Sequence, residues 1–207
     1  MRRILPFFEV RSINIRRCLS KRQPACIFFT FDLYHRKAVK RRIIMNENII
    51  IRKFEQKDIP EMIKIWNEVV DEGVAFPQED CLTDDNGGAF FAAQSYCGVA
   101  EKDGKILGLY ILHPNNVGRC GHLSNASYAV LSESRGNPIG EKLVLDFMKQ
   151  AKLLGFRILQ FNAVVESNIH ARHLYERIGF SLLGTVPGGF RLKNGEYENI
   201  CLYYIEL

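Results

Sequence analysis

The sequence predicts an α/β fold in which a mixed sheet carries helices on both faces. Three observations predict it. Segments with the two-residue period of strands and the 3.6-residue period of helices alternate in the order β-α-α-β-β-β-α-β-α-β-β, with no internal repeat. Two turn dipeptides, Asp103-Gly104 and Asn194-Gly195, each join a pair of strand-like runs, so part of the sheet is antiparallel. A glycine-rich turn, Arg-Gly-Asn-Pro-Ile-Gly at 135–140, feeds a long amphipathic helix directly from a strand.

Each element follows from local signals. Residues 49–53 read as a short strand. Asp58 is placed to cap a helix on which Ile59, Met62, Ile63, Trp66, Val69 and Val70 share one face, ended by Gly73. After the turn-rich 83–88, a second helix is expected near 89–94. Residues 96–101 and 105–112 are the arms of the Asp103-Gly104 hairpin, 114–121 is a polar loop, and 123–131 is a further strand. Ile139, Leu143, Phe147, Met148, Ala151 and Leu154 line one side of the next helix, which Gly155 stops. Residues 158–165 form a strand interrupted by Gln160 and Asn162. Asn168 can cap a helix to Arg177, and 180–207 supply the last two strands.

Charge divides the chain in two. Residues 1–44 hold 12 Lys/Arg and 2 Asp/Glu, whereas 45–207 hold 16 and 21, so the net charge of +5 resides in a basic leader and the body is mildly acidic. Three readings of residues 1–44 stay open: a start assigned upstream of Met45, an Arg-rich targeting segment, or a disordered tail for polyanions. Residues 45–207 are expected to form one domain. The six cysteines are scattered without a C-x-x-C pair; Cys120 and His122 lack a second ligand pair, so no metal site is expected. Such thiols suit a reducing cytoplasm. No apolar run approaches the ~20 residues that span a bilayer.

The chemistry concentrates at 128–180. A glycine-rich turn opening a helix offers backbone N–H groups to a phosphate. Gly-Lys-Ser/Thr and G-x-G-x-x-G are both missing from it, so neither the Walker nor the dinucleotide turn applies. Downstream lies N-x-x-A-x-x-L-Y-E-R-I-G-F, from Asn168 to Phe180. Read singly, these residues keep plain alternatives: Arg135 a solvated charge, Asn168 an N-cap, Tyr175 a half-buried aromatic.

Read together, the two motifs and the element order resemble the acyl-CoA-binding core of the GNAT N-acetyltransferase superfamily. The resemblance implies a mostly antiparallel sheet with one splayed strand pair, and acetyl-CoA as cosubstrate without a metal. It implies that Arg135, Gly136, Asn137, Ile139 and Gly140 cradle the pyrophosphate. Tyr128, Ala129 and Val130 would pair with the pantetheine arm, the Val130 N–H polarising the thioester carbonyl. Asn168 would help hold the coenzyme, and Tyr175 would protonate the leaving thiolate. The turn departs from the superfamily's R-x-x-G-x-G/A at Pro138, which removes one N–H yet suits the first position of a helix.

A narrower likeness joins G-R-C-G-H-L-S-N-A (118–126) and L-G-F-x-x-L-Q-F-N-A-V-V-E-S-N (154–168). These stretches are similar to the fungal-type acetyltransferases of azetidine-2-carboxylate and other proline analogues. The likeness implies that Asn125 and Asn162 meet the acceptor, with Glu133, His122 or Glu166 assisting deprotonation through water. The expected reaction is direct attack of a small amino or imino acid on the thioester, with no acyl-enzyme. A protein or peptide acetyltransferase and an acyl-CoA sensor are the rivals. The expected partner is that small amine; the body is not expected to bind nucleic acid, and a homodimer is left open.

Overall fold

The computed structural model describes residues 48–207, so the basic leader and its boundary at residue 45 lie outside the described residues. The strands are β1 (Ile50–Lys53), β2 (Tyr96–Lys102), β3 (Lys105–Pro114), β4 (Leu123–Val130), β5 (Ile158–Val165), β6 (Ser181–Arg191) and β7 (Tyr197–Glu206). The helices are α1 (Ile59–Glu72), α2 (Asp84–Ala92), α3 (Ile139–Leu153) and α4 (Ile169–Ile178). The seven strands lie in the order β1-β2-β3-β4-β5-β7-β6. Every neighbouring pair is antiparallel except β4 and β5, which run parallel.

Local chemistry explains most boundaries. Asp103 and Gly104 both have positive φ, 51° and 78°, as a two-residue hairpin whose twist matches its strands requires. α1 ends where Gly73 turns left-handed at φ 64°. Two expectations are corrected. Asp58 does not cap α1 through its side chain. Its carboxylate instead accepts both terminal nitrogens of Arg52, at 2.6 and 2.9 Å, and the Glu55 N–H. A charged fork outcompetes a neutral cap, and it holds the Asp58 carboxyl below the usual carboxylate range. The second helix begins earlier than the turn-rich composition suggested. Thr83 and Asn86 exchange side-chain-to-backbone bonds as a capping box, which starts α2 at Asp84.

The sheet separates two apolar layers. On one face α1 and α2 bury Met62, Ile65, Trp66 and Phe91 against Val99, Leu109, Ile111 and Ala129. On the other, α3 and α4 bury Ile139, Leu143, Phe147 and Tyr175 against Tyr110, Ala126, Leu159 and Phe161. Close approach of α3 depends on Gly108. A Cβ there would lie 2.8 Å from the Ala129 carbonyl oxygen and 3.2 Å from the Ile139 and Leu143 side chains. Among the described residues no helix is long and apolar enough to cross a membrane.

Candidate active site

The parallel strands β4 and β5 pair only at Leu123–Ile158 and Ser124–Leu159, then diverge toward their C-terminal ends. Backbone alternation shows which groups face the opening. The Leu131 N–H donates to the Leu107 carbonyl on the β3 side, 2.9 Å away. The N–H groups of Val130, Tyr128 and Ala126 therefore point toward β5. Two contacts agree with that polarity. The Ala126 N–H is taken up by Asn125 Oδ1 at 2.8 Å, and the Val130 carbonyl accepts from Arg135 Nε at 3.4 Å. Past Ala126, the gap presents strand N–H groups to whatever enters it.

The glycine-rich turn closes one wall of this gap. Gly136 has φ 84°, a conformation open to glycine at little cost. Pro138 stands just before the helix rather than at its first position, and its carbonyl accepts the Lys142 N–H at 3.1 Å. Ile139, Gly140 and Glu141 open α3, so their N–H groups have no carbonyl one turn back and carry the positive end of the helix dipole. The amide lost at Pro138 thus precedes the first turn and leaves its three donors intact. Gly140 packs over the Tyr128 ring and Leu174, where a Cβ would make ordinary contacts of 3.4 and 3.8 Å. Asn137 is occupied within the turn, its Nδ2 donating to the Ser134 carbonyl. Arg135 is exposed but paired. It pairs with Glu72 Oε1 at 2.7 Å, while Glu68, one turn earlier on α1, accepts the Ser132 N–H at 3.1 Å.

Tyr175 lies under the gap. It is 5% exposed, stacked on Phe161 at 4.4 Å between ring centroids, and edge-on to Tyr128 at 6.4 Å. Burial first, then the adjacent Tyr128 hydroxyl to which it is hydrogen-bonded, hold Tyr175 well above the ordinary phenol pKa. Tyr128 is raised as well, by burial. Both phenols are neutral proton carriers at physiological pH. Asn168 caps α4 through a bond from the Ala171 N–H at 3.2 Å.

Leu159 and Phe161 face the α3/α4 layer, so Gln160 and Asn162 face the other side of β5, as Asn125 does on β4. The sheet therefore brings Asn125 and Asn162 to one face at the closed end of the gap. Their amides do not bond each other. Asn162 exchanges two hydrogen bonds with Asn115, beyond the end of β3, and accepts a third from Gln160. The suggested bases are engaged elsewhere or exposed: Glu133 is tied to Lys105, Glu166 accepts from Asn199, and His122 is exposed.

The model of the acetyltransferase (GNAT) family matches residues 59–180, more than half of the chain. This chain belongs to the GNAT family. The N-acetyltransferase aca1 of Schizosaccharomyces pombe is 34% identical over 99 residues, 47% of each chain, so the match spans about half the length of that relative. A GCN5-related N-acetyltransferase from Kribbella flavida is 32% identical, with TM-score 0.72 over 78% of this chain and 99% of that one. A phosphinothricin acetyltransferase from Sinorhizobium meliloti, solved in complex with acetyl-CoA, is 20% identical and shares the fold, with TM-score 0.72 over 77% of this chain and 89% of that one.

Within this GNAT chain, Glu72 and Asn115 escaped the sequence reading, and Gln160 was noted only as an interruption of its strand. Glu72 and Glu68 stand four apart on α1, but nothing local tells that they face the turn 63 or more residues later. Asn115 sits in a polar loop where any amide looks ordinary. The break that Gln160 makes in an apolar strand, two residues before Asn162, is the signal that could have joined it to the site.

Proposed function

We propose that the protein is an acetyl-CoA-dependent N-acetyltransferase whose acceptor is a small amino or imino acid. The observation that carries this reading is the gap between β4 and β5, with strand N–H groups on one side and the first turn of α3 at its mouth. These residues fit acetyl-CoA: three orphan amides and a helix dipole for the pyrophosphate, an open strand edge for the pantetheine amides, and a buried phenol pair beneath. In this reading Arg135, Gly136, Asn137, Ile139 and Gly140 form the cradle, Tyr128 and Ala129 flank the arm, and Asn168 anchors it from α4.

The acceptor nitrogen, neutral at the moment of reaction, attacks the thioester carbon. The carbonyl oxygen gains charge against the Val130 N–H, the carbon–sulfur bond breaks, Tyr175 supplies the proton to sulfur, and the acylated nitrogen releases its proton to water. Asn125 and Asn162 hold the acceptor's carboxylate through N–H groups, which favours a free amino or imino acid such as azetidine-2-carboxylate over a peptide terminus. Residues 45–207 are the catalytic domain in this proposal, and its scattered thiols suit a reducing cytoplasm. Kinetics of Asn125→Ala and Asn162→Ala test it. The acceptor's KM should rise or kcat fall with acetyl-CoA binding intact; loss of acetyl-CoA binding would make these amides structural.

A further inference from the structure

We infer that Asn115 is a positioning residue that fixes the amide of Asn162 for recognition of the acceptor; the inference rests on the function proposed above. Asn115 is itself held, because its backbone N–H donates to the Leu123 carbonyl at 2.8 Å across the β3–β4 connection. Its side chain then reaches over the start of β4 to β5. Asn115 Nδ2 donates to Asn162 Oδ1 at 3.3 Å, and Asn162 Nδ2 returns a bond to Asn115 Oδ1. Gln160 Nε2 donates to the same Asn162 Oδ1 at 2.9 Å.

The valences decide what this arrangement can read. An amide oxygen accepts two hydrogen bonds and an amide nitrogen donates two. Both lone pairs of Asn162 Oδ1 are taken, and one of its two N–H groups is committed to Asn115. Turning the Asn162 amide over alone would set its NH2 against two donors, so the amides of Asn115 and Gln160 oppose that turn. On the neighbouring strand, Asn125 Oδ1 is engaged by the Ala126 N–H, which leaves its NH2 available to donate. All three side chains are half-buried at the closed end of the β4–β5 gap, so the locked amide lies where an acceptor would meet an acyl group. The pair formed by Asn162 and Asn125 keeps three unused N–H groups, one on Asn162 and two on Asn125, against one unused lone pair. It suits an anionic oxygen pair on the acceptor, and Asn115 is what keeps it so.

The test compares two acceptors on the full chain: azetidine-2-carboxylate and azetidine, which lacks the carboxylate. Asn115→Ala should raise the KM for azetidine-2-carboxylate about tenfold, the equivalent of one lost hydrogen bond to a charged group. It should change turnover of azetidine and acetyl-CoA affinity by less than about twofold. Asn115→Asp should be worse than Ala, because it removes the donor to Asn162 Oδ1 and sets a negative charge beside the carboxylate. Equal loss with both acceptors, or an unchanged KM in both variants, would overturn the positioning role while leaving the acetyltransferase reading intact. Failure of the wild-type protein to turn over any amino or imino acid would overturn both.

Discussion

Arg135 of the glycine-rich turn and Glu72 of the last turn of α1 form an ion pair of 2.7 Å. The one cation of the 135–140 turn is thereby balanced by a carboxylate at the place where an anionic coenzyme is proposed to bind. Neighbouring Asp71 holds the β6–β7 hairpin, its carbonyl accepting Lys193 Nζ at 2.9 Å. One turn of helix therefore ties the glycine-rich turn to the far hairpin.

Glu72→Gln should strengthen acetyl-CoA binding. The pair is partly exposed, so its worth is about 0.2–1 kcal/mol, and freeing Arg135 predicts an affinity gain of up to about fivefold. Titration calorimetry at low and high salt reads this directly. The gain should shrink as salt screens the charges. Weaker binding by the variant would mean that Glu72 serves to hold the turn in shape.

Tyr175→Phe should lower kcat by about 100-fold or more while leaving acetyl-CoA affinity within about twofold, as expected of a proton donor used only in the transition state. Tyr128→Phe, which removes its hydroxyl partner, should give a smaller loss. Equal falls in kcat and in coenzyme affinity for Tyr175→Phe would show that the ring supports the pocket and does not donate.

Stability should fall in alkali. Tyr110, Tyr128 and Tyr175 all have raised pKa values, burial being the first cause in each case. Their phenols ionise more easily unfolded than folded. The unfolded chain therefore releases protons first, and their contribution is intact below pH about 10 and lost as pH rises above it. Thermal melts should show no loss from these groups between pH 7 and 9 and a steep decline beyond 10. Tyr110→Phe, which also gives up a 2.6 Å bond to Asp146, should make that decline shallower.

Asp58 works in the opposite sense. Its bond to Arg52 lowers its pKa, so its contribution is present above the unfolded value near 4 and is lost as pH falls below it. Asp58→Ala should cost about 1–3 kcal/mol in urea unfolding at pH 7, because it strips Arg52 and the Glu55 N–H of a buried acceptor. A change within about 0.5 kcal/mol would mean that Glu101, the other partner of Arg52, suffices.

Periodicity and turn chemistry made most of the fold legible. Val69 and Val70 fall on the α1 stripe, Asp103-Gly104 makes its hairpin, and Gly155 and Gly179 stop α3 and α4 at φ 86° and 110°. Where a side chain had two possible partners, local rules failed. Asp58 preferred a distant guanidinium to its own helix, and Thr83 found Asn86 inside a stretch that composition marks as a turn. The site divides the same way. Residues 128–140 and Tyr175 could be placed because strand, turn and helix follow one another in the chain. Asn115 could not, because its role exists only when the end of β3 is folded over β4 onto β5.

Acetyl transfer to a small imino or amino acid is the proposed reaction. Its most direct test is thiol release from acetyl-CoA by the full-length protein across a panel of proline analogues and amino acids, with products weighed by mass spectrometry. Saturable release is expected, with one acetyl group gained per acceptor, fastest for acceptors that carry a free carboxylate. Thermal stabilisation by acetyl-CoA with no thiol released for any amine would contradict it and make the protein a sensor of acyl-CoA.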